Sequence, residues 1–345
     1  LHAQSDTFDP VLAIIFILIP HYSGSAGKAY SVSEEKKALK EYVSRKQALN
    51  LNRKDRKEKT RSSQSFNSCI YFPSYWKNKR RILFMEVIIR PDKDKAIELA
   101  ARVIAKALRN KPTLVLGLAT GNTMEPLYAK LAEMHKNEKL DFSLCRTFNL
   151  DEYVGLAPEH KNSYRHYMNE HLFNKINIDI RNTHLPHGIV EDHEKDCERY
   201  EEKIKECGGI DLQLLGIGKS GHIGFNEPLS AFYSRTRVKA LTPTTIAQNS
   251  PLFDRPEEMP KRAITMGVGT ILEAKRIVTL VVGSSKAEIL AKAVEGPVTS
   301  MVSASALQLH RKCIVIADEK AAANLQGRDY YRWIFNNEPE WEEFR

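Results

Sequence analysis

No methionine precedes Met85, no two cysteines form a C-x-x-C, and the first quarter holds no apolar run long enough to cross a bilayer. Its longest, Val11–Ile19, ends at Pro20, whereas a spanning helix needs about 20 residues. Asp6 and Asp9 stand before that run where a secretory signal would carry basic residues. The five cysteines, Cys69, Cys145, Cys197, Cys207 and Cys313, are scattered and odd in number. That excludes a zinc-site spacing and a disulfide framework, and reduced thiols in the cytoplasm are expected. Charge of one sign is missing from most of the chain. Residues 85–345 hold 36 basic and 36 acidic side chains, and the whole net charge of +9 lies in residues 1–84. The body has no electrostatic reason to seek nucleic acid or an anionic membrane.

With 42% hydrophobic and 28% charged residues in 345, the composition is that of a globular protein. Residues 1–84 are read as an N-terminal extension, disordered or lying upstream of a translation start at Met85. The basic stretch Asn52–Ser65 reads as a solvated tail. Its alternative is a nucleic-acid-binding arm, but no binding module accompanies it. Residues 85–345 are read as a single domain.

From Met85 the pattern alternates. Glu86–Arg90, Thr113–Leu118, Ser143–Leu150, Ile210–Gly216, Arg276–Gly283 and Cys313–Ala317 read as short apolar strands. Helices are expected over Asp92–Arg109, where Ile97, Ala100, Ile104 and Leu108 recur at helical spacing, and over Thr123–Met134 and Lys286–Val294. Alternating elements of this kind predict an α/β fold: a doubly wound, Rossmann-like, mostly parallel sheet with helices on both faces. In such sheets ligands bind beyond the carboxyl ends of the strands.

Three of those ends carry candidate chemistry. Gly117-Leu-Ala-Thr-Gly-Asn-Thr123 joins a strand to a helix. Its glycines permit close approach, and its hydroxyls and the helix start offer donors to a phosphate. The alternative is a loop with a capping threonine. Phe148-Asn-Leu-Asp-Glu-Tyr153 puts two acids at an apolar strand end. Asp151 there is either a general base or the cap of the next turn. Leu215–Pro228 packs Gly216, Gly218, Gly221 and Gly224 around His222 and ends in Asn226-Glu227-Pro228. It formally matches a dinucleotide fingerprint, but Pro228 arrives quickly and the expected downstream acid is missing. The better reading is an irregular loop presenting His222, which can exchange protons near neutral pH, and Glu227.

Together with SRTRVKAL at 234–241 and PKRAITMGVGT at 260–270, these motifs resemble the glucosamine-6-phosphate deaminase (isomerase) family, from about Met85 to Leu325. The resemblance implies a modified doubly wound fold. It implies conversion of glucosamine 6-phosphate and water to fructose 6-phosphate and ammonia, without a redox cofactor or a required metal. It makes Asp151 the base at C2, His222 the group that moves a proton on the ring oxygen, and Glu227 the support of that histidine. It gives the phosphate to Thr120, Gly121, Asn122, Thr123 and Lys261. Some members are hexamers activated by N-acetylglucosamine 6-phosphate, and the matching positions are Ser230, Arg237 and Lys239. Their alternative is surface charge on a strand.

Two departures stand out. Many members carry Asp at the position of Ser220, so a carboxylate is missing beside His222, and Ser220 joins the candidate catalytic set. One branch carries a phosphate-binding arginine where this chain has Pro251, and Arg255 or Arg262 are the candidate substitutes. The segment 229–260 is a candidate lid. The competing readings are a 6-phosphogluconolactonase-like enzyme, which needs no C2 base, and a non-catalytic sugar-phosphate sensor.

Overall fold

Strand β1 (Glu86–Arg90) buries its three central apolar residues, and Asp92 then caps helix α1 (Lys93–Asn110) by accepting from Lys95 N at 2.8 Å. The computed structural model describes residues 85–345; the expectations for residues 1–84, including the start at Met85, lie outside the described residues. The stripe Ile97, Ala100, Ile104 and Leu108 is buried, as its spacing predicts.

The chain continues through β2 (Val115–Leu118), α2 (Glu125–Glu138), β3 (Arg146–Asn149), β4 (Asp151–Tyr153), α3 (Tyr164–His171), β5 (Thr183–His184), α4 (His193–Glu206), β6 (Leu212–Leu215) and β7 (Arg237–Ala240). It ends with α5 (Pro243–Asn249), β8 (Arg262–Thr265), α6 (Val268–Leu272), β9 (Ile277–Val281), α7 (Ala287–Val294), β10 (Cys313–Asp318) and α8 (Arg328–Asn337).

Among the described residues, seven strands form one sheet in the order β1-β10-β9-β6-β2-β3-β5, every neighbouring pair parallel. Strands β2, β6, β9 and β10 are buried at every position. Because successive side chains point to opposite faces, both faces of the sheet are covered. This is the doubly wound, mostly parallel architecture expected. Successive strands step one way from β2 through β3 to β5, and the other way from β6 through β9 to β10. The order therefore reverses between β2 and β6, which pair directly at Leu116↔Leu212. A crevice opens at such a switch point, beyond the carboxyl ends of the strands.

A second, antiparallel sheet, β4-β8-β7, was not legible as a separate element. The apolar text of Ser143–Leu150 reads as one strand, but the strand covers Arg146–Asn149. Leu150 then hands the chain over: its N–H donates to Leu118 O of the parallel sheet, and its carbonyl accepts from Met266 N beside β8. Asp151 thus starts a new strand just beyond the carboxyl ends of the parallel strands. The small sheet has its own core of Tyr153, Leu156, Phe225, Leu241, Phe253, Met259 and Ala263. Three of these, Leu241, Phe253 and Met259, come from the segment expected to be a lid, and they anchor it.

Candidate active site

The loops after β2 and β6 flank the switch point, and Asp151 lies two residues beyond the end of β3, the next strand along. The sheet order therefore brings together all three motifs singled out from sequence.

In the first, helix α2 starts at Glu125, two residues later than its pattern suggests. Its N-cap is Met124, which makes no side-chain cap. Thr123 is therefore not a capping residue. Gly121 adopts φ +109°, a conformation that L side chains avoid. The loop is held from behind: Tyr128 OH donates to Ala119 O, and Tyr167 OH donates to Gly121 O at 2.9 Å. Thr120 and Thr123 are half-buried, and Gly121 and Asn122 are exposed.

In the second motif the two acids take different roles. Glu152 caps helix α3, accepting from Tyr164 N at 2.9 Å and Arg165 N at 3.0 Å. Glu152, not Asp151, takes the capping role. Asp151 is buried and accepts no hydrogen bond from the described residues. Burial, then the charge of Glu152, pushes its carboxyl up to about 8. Its Oδ2 lies 3.5 Å from where a Cβ on Gly224 would be, so the carboxylate faces the backbone of the histidine loop.

In the third motif, His222 Nδ1 is 2.7 Å from Ser220 Oγ and 3.2 Å from Glu227 Oε2, and Ser220 Oγ donates to the same Oε2 at 3.0 Å. Nδ1–H donating to Ser220, and Ser220 donating to Glu227, leaves Nε2 as the ring's free acceptor. The serine hydroxyl thus bridges the gap left by the missing carboxylate. Glu227 Oε1 accepts from Thr242 Oγ1 at 3.2 Å and from Thr245 Oγ1. Burial opposes ionisation of Glu227, yet the hydrogen bond and charge of His222, with Thr245 and Ser220, hold its carboxyl down to about 2. Gly218 is fixed by close approach: a Cβ there would fall 2.0 Å from His222 Nε2.

The cations are less well placed than the acids. Lys261 is exposed, just before β8. Arg255, a candidate substitute at the Pro251 position, is ion-paired with Glu258, and Arg262 is exposed. A cation that sequence reasoning missed is Lys286, beyond the end of β9. Its Nζ donates to Ile217 O, in the histidine loop, at 2.6 Å. Burial and then Lys219 push its ammonium below the ordinary lysine range. The signal was available: Lys286 follows Gly283-Ser-Ser at a strand end, but the text reads as the start of a helix. Ser230 and Arg237 do meet, with Arg237 Nη2 3.4 Å from Ser230 Oγ and Nη1 donating to Asn226 Oδ1 at 2.9 Å. Lys239 lies two residues further along β7, toward the same face. Among the described residues no cluster of histidine, cysteine or acid side chains could hold a metal ion, and no helix is long and apolar enough to cross a membrane.

A family model described as glucosamine-6-phosphate isomerases/6-phosphogluconolactonase matches residues 93–316. The glucosamine-6-phosphate deaminase of Shewanella woodyi is 49% identical over 250 residues, covering 72% of this chain and 95% of that protein. That of Hahella chejuensis is 48% identical over the same shares of both chains. Among solved structures, a monomeric glucosamine-6-phosphate deaminase superposes with a TM-score of 0.68 at 43% identity, covering 70% of this chain and all of that one. A 6-phosphogluconolactonase from Trypanosoma cruzi, at 18% identity and a TM-score of 0.56, covers 70% of this chain and 97% of its own and shares the fold.

Proposed function

Because the chain belongs to the glucosamine-6-phosphate isomerase/6-phosphogluconolactonase family, we propose that its switch-point crevice is the active site of a glucosamine-6-phosphate deaminase. The reaction takes glucosamine 6-phosphate and water to fructose 6-phosphate and ammonia. The observation that carries this reading over a lactonase is Asp151: buried, without a hydrogen-bond partner among the described residues, and set against the loop of His222. Lactone hydrolysis needs no base at C2, whereas an aldose-to-ketose shift does.

In this reading His222 moves the proton on the ring oxygen through Nε2, while Ser220 and Glu227 hold the other side of the imidazole. Asp151 takes the proton from C2 of the opened sugar and returns one to C1. The nitrogen is then left on C2 as an imine, which water hydrolyses to the ketone and ammonia. One carboxylate can serve both carbons because it sits over adjacent atoms, and each positioned transfer is worth roughly 10²–10⁴ in rate. Thr120, Gly121, Asn122 and Thr123 hold the phosphate, with Lys261 or the half-buried Lys286 as its cation. Binding the sugar at this remote group keeps C1 and C2 in register with Asp151.

The same reading extends to an effector, N-acetylglucosamine 6-phosphate, at Ser230, Arg237 and Lys239, and to self-association. It is supported by the Ser230–Arg237 contact, and a linear, effector-insensitive dependence of rate on low substrate would remove it. A cytoplasmic setting is supported by Cys145, Cys197, Cys207 and Cys313, all free thiols.

The test is to add glucosamine 6-phosphate to the purified chain and follow both products, with Asp151→Asn as control. Fructose 6-phosphate and ammonia are expected in equal amounts and lost in the variant. A folded protein that releases neither, or a variant as active as the parent, would overturn the reading.

A further inference from the structure

Helix α5 touches the site at both ends, and neither contact is used in the reaction as written above. Thr242, Thr245 and Asn249 recur at steps of three and four, which places them along one face of the helix. At its start, Thr242 and Thr245 both donate to Glu227 Oε1, the oxygen turned away from His222. Thr245 is buried, so this bond is shielded from water. At its end, Asn249 Nδ2 donates to Tyr153 OH at 3.0 Å, and Tyr164 OH donates to the same oxygen at 3.4 Å. Tyr164 is the first residue of α3, and Tyr167, one turn further along that helix, donates to Gly121 O of the loop after β2 at 2.9 Å. The two tyrosines are braced by rings. Their centroids are 5.0 Å apart, and Tyr164 stacks on Phe225 of the histidine loop at 6.2 Å.

Hydrogen bonds therefore run from Tyr164 through Tyr153 and Asn249 to α5, and from α5 through Thr245 to Glu227 and His222, while helix α3 carries the connection on to the loop after β2 through Tyr167. We propose that α5 is a positioning element that ties occupation of the Thr120 loop by the substrate phosphate to the placement of Glu227 and His222. The inference rests on the deaminase reading and on that loop as the phosphate cradle. Its physical content is that binding energy collected at the phosphate, far from the reacting carbons, helps set the imidazole at the ring oxygen. Thr245 acts through Glu227, Asn249 through Tyr153, and Tyr164 through Tyr153 and helix α3, so all three are positioning residues.

The experiment is a double-mutant cycle on the full chain with glucosamine 6-phosphate as substrate, using Thr245→Val and Tyr164→Phe. Each single variant is expected to lower kcat about three- to tenfold with KM changed less than threefold. Thr245→Ser should restore kcat to within about twofold. The double variant should be no slower than about twice the slower single, because both cut one connection. A double variant slowed by the product of the single effects, or singles with the parent kcat, would overturn the coupling. Thermal midpoints accompany each variant. If Thr245→Val fails to fold, Asn249→Ala at the half-buried end of the helix takes its place in the cycle. A parent chain with no deaminase activity would sink the proposed function and this inference together. An active parent with multiplicative variants would sink the coupling alone.

Discussion

Asp151 and Glu152 stand side by side on one short strand, and among the described residues Glu152 alone of the two is paired. Its oxygens accept three backbone N–H groups, from Tyr153, Tyr164 and Arg165, while Asp151 is left buried without a donor among the described residues. An unpaired buried carboxylate resists ionisation. The small sheet therefore builds a base whose proton affinity lies near neutral pH, from a residue type that is ordinarily ionised there.

The first consequence is a pH profile. Asp151 must be ionised to accept the C2 proton, and its carboxyl is pushed up to about 8. In the free enzyme, kcat/KM for glucosamine 6-phosphate is expected to climb with pH and level off above about 8. Initial rates from pH 5.5 to 9.5 check this. A profile already flat by pH 6 would mean that the carboxylate is ionised at rest.

The second is a stability effect of opposite sense to the activity effect. In the unfolded chain the Asp151 carboxyl ionises at its ordinary value of 3.8, and in the folded chain at about 8. Between those values the folded state keeps a proton that the unfolded state has lost. Stability therefore falls as pH rises through this window, and the loss is complete above about 8. Asp151→Asn removes the charge. Its thermal midpoint at pH 8.5 should exceed the parent's by at least about 4 °C, and the difference should close toward pH 4. A variant less stable than the parent at pH 8.5 would count against an unpaired carboxylate.

The same pair of residues shows what was legible in the sequence. The parallel sheet was, because short apolar strands alternating with amphipathic helices have few other solutions. The gathering of the three motifs at strand ends was legible for the same reason. The break at Leu150 was not. Phe148 to Tyr153 is one continuous β-like text, and only long-range pairing with β8 shows that Asp151 belongs to another sheet. Nor could the text decide which of two adjacent acids would cap helix α3, since the helix start lies twelve residues beyond Glu152. Lys286 was hidden differently, as an ordinary residue before a helix, its value set by a carbonyl 69 positions earlier in the chain.

Glu227 should matter through both oxygens. One meets Ser220 and His222, the other Thr242 and Thr245. Glu227→Gln keeps the shape but loses the charge and presents an amide to one set of donors. Turnover is expected to drop at least tenfold, about 1.4 kcal/mol in barrier. Because Glu227 is held ionised down to about pH 2, the loss should be the same at pH 6 and pH 8. Steady-state kcat at those two values decides it, and a loss under threefold would free His222 from dependence on this carboxylate.

Lys286 offers a test of binding rather than chemistry. Its ammonium touches Ile217 O and is pushed toward neutrality by burial, and an anion would relieve that cost. Lys286→Ala should raise KM for glucosamine 6-phosphate at least tenfold, while Lys261→Ala, at an exposed position, should raise it less. The reverse ranking in steady-state kinetics would return the phosphate cation to Lys261.

Gly218 is the sharpest steric claim. The turn Gly218–Gly221 closes on itself, with Gly218 N donating to His222 O at 2.8 Å and Gly221 N to Gly218 O at 3.0 Å. The imidazole folds back over Gly218 so closely that a methyl group there would overlap Nε2. Gly218 is not among the glycines with positive φ, and the nearest atoms that a Cβ there would meet are all in the His222 ring, so the cost falls on the ring. The ring can yield only by leaving Ser220 and Glu227, because its other edge is tied to them. Gly218→Ala should therefore fold with a thermal midpoint close to the parent's and lose roughly 10²-fold in kcat, the scale expected when a reacting group is displaced by about 1 Å. Glu227→Gln added to Gly218→Ala should cost little more, since the contact it removes is already broken. A Gly218→Ala enzyme with parental kcat would show that Nε2 has another place to stand and that the Ser220–Glu227 tie does not fix it.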